Sequence, residues 1–174
     1  MSALPASAGR GPATRSPTAP AQARIVLGAA VIALLVGALV YAVDRGDHSA
    51  YLLPRILLVH GGHQLFGPIA QWLPSFVHAF AFSLLTAALL PHRALPMAAA
   101  CLAWGAIDAA VEIAQHKALS GPLASAVPQW FARVPVLDHV QSYLRVGVFD
   151  PMDLAAIAAG CLAAFAVSLL RPAL

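Results

Sequence analysis

Between Arg24 and Asp44 the chain runs nineteen residues, Ile25 to Val43, without a charged side chain. As a helix rising about 1.5 Å per residue, this stretch reaches nearly across a hydrocarbon core of roughly 30 Å. Lipid suits it well, because a helix bonds its backbone N–H and C=O groups internally and leaves only apolar side chains outside. A secretory leader cleaved after Val40-Tyr41-Ala42 fits less well, since the apolar part of such leaders is roughly 7–15 residues. The expectation is a retained membrane helix.

Composition extends that expectation to the whole chain. Of 174 residues, 60% are hydrophobic and only 10% charged, whereas an ordinary soluble domain is about a quarter charged. A water-soluble globule is excluded as the default, and so is disorder over most of the length. The net charge is +3, with no basic cluster, so nucleic acid is not an expected partner and the lipid bilayer is. Cys101 and Cys161 both lie inside apolar runs, which points to neither a disulfide framework nor a cysteine-rich zinc site. Residues 1–23 are rich in Ala, Pro, Ser and Gly. They read as a disordered cytoplasmic tail, leaving 24–174 as the membrane domain.

Three further spans are expected, at about 74–90, 95–116 and 152–170, giving an all-α bundle of four transmembrane helices. Pro74 suits a first helical turn, where a missing N–H costs nothing. Asp150-Pro151-Met152-Asp153 reads as a helix start, with Pro at the first position and both Asp150 and Asp153, the latter at the third position, as capping acids for the free N–H groups. The apolar stretch from Tyr51 to Leu73 is broken by Pro54, Gly61-Gly62 and Gly67-Pro68, so it is expected to be interfacial or re-entrant. In the connection from Lys117 to Phe149, Gly121-Pro122, Pro128 and Pro135 mark breaks. Val136, Val140, Tyr143 and Leu144 predict a short amphipathic helix there, in the interface, with Trp130 and Tyr143 at headgroup depth. Lys and Arg divide evenly between the two sides, but the outer segments are longer and the short turn before the third span holds Arg93. That favours cytoplasmic termini.

Chemistry concentrates on the third span. Asp108, Glu112 and His116 recur every fourth residue, which predicts one helix face. Ionisable groups at such depth usually face a bundle interior or a cavity. With alternating spans, Glu112, Gln115 and His116 arrive at the same membrane side as His78, Asp150 and Asp153. The expected result is a polar pocket at the extracytoplasmic end of the bundle. His60 and His63 could be imagined with His78 as a zinc triad, but Gly61 and Gly62 between them and the lack of a fixed spacing argue against a metal. No cofactor motif is present: no Gly-rich phosphate loop, G-x-S-x-G elbow or H-E-x-x-H helix. Small residues every fourth position, Ala29, Ala33 and Gly37, then Ala156, Gly160 and Ala164, permit close helix approach.

His78-x-x-x-Phe82, Glu112-x-x-Gln115 and Phe149-x-x-x-Asp153-Leu154 with Gly160 together resemble the VanZ-like family of small bacterial multispanning proteins. The resemblance covers about 74–169. It implies that His78, Glu112, Gln115 and Asp153 are the family's polar residues and that Gly160 is its helix-packing residue. Pro74-Ser75 stands where the family has an Asp-Lys pair, and Ile157 where it has an Asn. The family takes its name from a component linked to glycopeptide (teicoplanin) resistance, and the cell envelope is the setting it implies.

Three functions compete. The leading one is a non-catalytic envelope protein of the bacterial inner membrane, whose outer pocket binds a lipid-linked ligand or a membrane protein partner. The second is an intramembrane enzyme using Glu112 and His78 as an acid–base pair. The third is a proton-coupled transporter relaying protons through Asp108 and Glu112.

Overall fold

A computed structural model describes residues 18–44, 65–91, 93–135 and 137–169, which form helices without a strand. The long elements are α1 (Thr18–Val43), α2 (Leu73–Leu89), α3 (Ala94–Ala114) and α6 (Pro151–Leu169), with the shorter α4 (Lys117–Ala126) and α5 (Val140–Val146) between the last two. Three of them, α1 from Gln22, α3 and α6, are long and apolar enough to cross a membrane. The second helix has 17 residues and falls just short of that length, although its sequence is equally apolar.

The first helix starts at Thr18, ahead of the expected boundary. Residues 18–23 therefore extend it, with Pro20 in the first turn and Ala and Gln after it, all compatible with helix. Residues 1–17 and 51–64 lie outside the described residues, and so do the calls made on the rest of the tail, on His60 and His63, and on most of the broken apolar stretch.

The second helix is the hub, packed against α1, α3 and α6, while α6 also lies along α3. Close approach is possible because the contact face of α2 is built from Ala79, Ala81, Ser83 and Ala87, all buried. Gly160 marks the tightest crossing: a Cβ there would lie 2.5 Å from the Phe76 carbonyl oxygen and 3.3 Å from the Ala79 Cβ. Val26, Ala30, Leu84, Cys101 and Ala164, one or two from each long helix, form the core cluster. These residues sit toward one end of the bundle. Outward, Ile32 and Leu35 are each 65% exposed, Leu102 74% and Leu162 71%. Apolar surface on that scale calls for a non-aqueous neighbour.

In the long connection, α4 continues through Pro122 instead of breaking at it. The preceding Gly121 has no Cβ to clash with the proline ring, which removes the usual bar to a helical residue before proline. The amphipathic helix α5 packs on α4, where the Gln141 amide donates to the Ala124 carbonyl at 3.0 Å.

Candidate functional site

At the end of the bundle away from that cluster, α2 and α6 begin and α3 ends, and their polar side chains meet. His78 stands five residues inside α2 and Asp108 six residues before the end of α3. At about 1.5 Å per residue both sit roughly 8–9 Å from their helix ends, so antiparallel packing brings them level. Nδ1 of His78 lies 2.9 Å from Oδ1 of Asp108, and the side chains are 48% and 10% exposed respectively. The second Asp108 oxygen is buried without a hydrogen-bond partner.

Glu112 is one turn nearer the helix end and serves a different set. Its Oε1 accepts from the backbone N–H of Asp150 at 2.7 Å, while Oε2 accepts from the Gln115 amide at 3.3 Å. The same Gln115 nitrogen donates to the Tyr143 hydroxyl oxygen at 2.9 Å. Gly147 lies beside it, and a Cβ there would force the Gln115 side chain to shift. Burial raises the Tyr143 phenol above its ordinary value, and nearby Tyr41 and Glu112 push the same way. Its hydroxyl oxygen is the acceptor for Gln115.

Asp150 caps α6 by accepting from the Met152 N–H at 2.9 Å. Asp153, expected as a second cap of α6, instead turns its carboxylate to α2 and accepts from the Ser75 hydroxyl at 2.7 Å. That bond ties the first turn of α6 to the first turn of α2. Among the described residues, no three His, Cys, Asp or Glu side chains converge as a metal site would require.

Two further expectations are corrected. His78 pairs with Asp108, so the acid–base pair with Glu112 is not formed; Glu112 lies too near the end of α3 to face a residue five positions inside α2. His116 does not continue the face of Asp108 and Glu112. The helix closes at Ala114 when the Gln115 N–H turns back to the Glu112 carbonyl and the His116 N–H to the Ile113 carbonyl. His116 then adopts an extended conformation, caps α4 by accepting from the Ala118 N–H, and sets its ring against Phe149.

Sequence reasoning missed the bond made by Ser75, a position marked only as a departure from the resembled family's charged pair. It also missed Asp44, whose two carboxylate oxygens accept from the Leu65 and Phe66 N–H groups at 2.9 and 2.8 Å, tying the end of α1 to the approach to α2. Asp108 with His78 was legible in principle, from equal depth on antiparallel neighbours. Fold and site together define a helical protein with membrane-length apolar helices and a polar network at one end. No family model, curated protein or solved structure matches this chain.

Proposed function

We propose that this chain is a VanZ-like integral protein of the bacterial cytoplasmic membrane that crosses the bilayer four times. Both termini are cytoplasmic, and the polar network at the outer end of the bundle binds an envelope ligand or partner in the setting of glycopeptide (teicoplanin) resistance. The observation that carries the reading is the burial of Asp108, Glu112 and Gln115 at one end of an otherwise apolar bundle. Such groups are costly in lipid and are kept there when a site uses them. Support for a fourth span comes from α2, which is about 26 Å long and packs against all three candidate spans. Arg93 in the short turn before α3 favours that end as the cytoplasmic one.

The test is expression in a teicoplanin-sensitive bacterium. The wild-type chain is expected to raise survival under teicoplanin, and Glu112→Gln to lose that effect while still fractionating with the membrane. No gain from the wild type removes the resistance setting. A full effect from Glu112→Gln removes the site.

A second reading, an intramembrane acid–base enzyme, is favoured by one observation: the half-exposed His78 ring is oriented by a buried carboxylate. The acid–base residue would then be His78, oriented by Asp108, and Asp108→Asn should depress turnover and shift its pH profile together.

A further inference from the structure

His78 belongs to a second cluster that the polar network does not absorb. Its ring lies 4.4 Å from that of Phe82 and 5.9 Å, edge-on, from that of Trp104, and these two are 4.9 Å apart. The indole N–H of Trp104 is committed, donating to the Thr86 hydroxyl at 2.8 Å. The three rings line the seam between α2 and α3. Phe82 is nine residues inside α2 and Trp104 ten residues before the end of α3. They sit about 14–15 Å from the helix ends, deeper than His78 at about 8 Å. The seam therefore presents a polar ring near the headgroup level and an aromatic floor at acyl-chain depth.

The polar end of the seam is already half committed. Nδ1 of His78 is taken by Asp108, which leaves Nε2, the ring's other nitrogen, for a ligand. A hydroxyl suits it, because a hydroxyl both donates and accepts. An anionic headgroup would approach the end of the bundle where the side chains of Glu112, Asp150 and Asp153 already gather.

We infer that the α2–α3 seam binds a hydroxyl-bearing, uncharged amphiphile of the glycosyl diacylglycerol type, with a headgroup hydroxyl hydrogen-bonded to His78 Nε2 and an acyl chain on Phe82 and Trp104. Asp108 is the positioning residue that holds the ring. This rests on the reading of these helices as membrane spans with a ligand site at this end, and it names the class of ligand.

Trp104 is a built-in reporter. The full chain carrying Trp72→Phe and Trp130→Phe retains Trp104 as its one tryptophan. It is reconstituted in phosphatidylcholine nanodiscs and titrated with lipids brominated on the acyl chain, which quench an indole they touch. The three arms are a glycosyl diacylglycerol, phosphatidic acid and phosphatidylcholine. The glycosyl lipid is expected to quench at about a tenfold lower mole fraction than phosphatidylcholine, a preference of about 1.4 kcal/mol. His78→Phe, which keeps an aromatic ring, is expected to abolish the preference while quenching by phosphatidylcholine persists, and Asp108→Asn to reduce it. Equal quenching in all arms, a preference for phosphatidic acid, or a glycosyl preference surviving His78→Phe overturns the inference and leaves the membrane reading standing. Absence of quenching by every lipid overturns both. If His78→Phe does not fold, the order of the three arms in the parent chain decides.

Discussion

The His78 ring nitrogen and the Asp108 carboxylate, thirty residues apart in sequence, meet at 2.9 Å across the α2–α3 seam. The carboxylate is nearly buried, and its other oxygen has no partner. Removing one member of such a pair strands the other, whereas replacing both with apolar groups of similar shape removes the penalty together with the bond. His78→Ala and Asp108→Ala should each lower the melting temperature in detergent. The double variant His78→Phe/Asp108→Leu should recover most of the loss. Additive losses in the double variant would mean that the two side chains are energetically independent.

Glu112 is predicted to be a structural clasp as well as a site residue. Glu112→Ala leaves the Asp150 N–H and one Gln115 contact without an acceptor, at a cost of about 1–3 kcal/mol. Glu112→Gln keeps an oxygen for the Asp150 N–H and should cost less than half as much. Thermal unfolding monitored by circular dichroism separates them. Equal stability of Glu112→Ala and the wild type would contradict the bonding described at the start of α6.

Gly160 should be the glycine least tolerant of a methyl group. Its Cβ would press on the α2 backbone, which cannot move aside as a flexible side chain would. Gly160→Ala is expected to cost about 1–3 kcal/mol, as over-packing does. At Gly28, by contrast, an added Cβ meets nothing within 4 Å, so Gly28→Ala should be neutral or slightly stabilising. Comparable behaviour of the two in detergent melts would place the α2–α6 crossing elsewhere.

Tyr143 supplies a pH dependence. Its phenol is raised by burial, so the folded chain holds the proton more tightly than the unfolded one. The stabilisation is complete below the ordinary phenol value of about 10 and declines as pH rises past it. Tyr143→Phe should therefore lose stability at neutral pH by removing the acceptor for Gln115, and should show a shallower further loss in strongly alkaline buffer. An alkaline loss as steep as the wild type's would assign that titration to another group.

Much of the helix content was legible because uncharged runs of membrane length leave few alternatives. The boundaries of α2, α3 and α6 lie within two residues of expectation, and Pro74 and Asp150-Pro151 fall at helix starts where their backbone chemistry is welcome. The site was legible as an address but not as a wiring. Helical spacing and alternating direction bring His78, Asp108, Glu112, Gln115 and Asp153 to one end. Which pairs form depends on depth differences of a single turn, and spacing alone does not resolve them. His116 illustrates the limit. Its place in an every-fourth-residue series was real in sequence, but the helix ended two residues earlier through a local turn that no residue type announced. Ser75 and Asp44 act through contacts to other elements, and nothing in their neighbourhoods announced those contacts.

The central claim is that α3 carries this polar network across a bilayer, from a cytoplasmic turn to an outer connection. It is tested by labelling single cysteines, at Pro91→Cys and Ser125→Cys, in a chain with Cys101→Ala and Cys161→Ala. In intact cells, an impermeant maleimide should label position 125 from outside, and position 91 only after permeabilisation. Labelling of both positions in intact cells would contradict the span, and labelling of position 91 alone would invert the orientation and put the site on the cytoplasmic side.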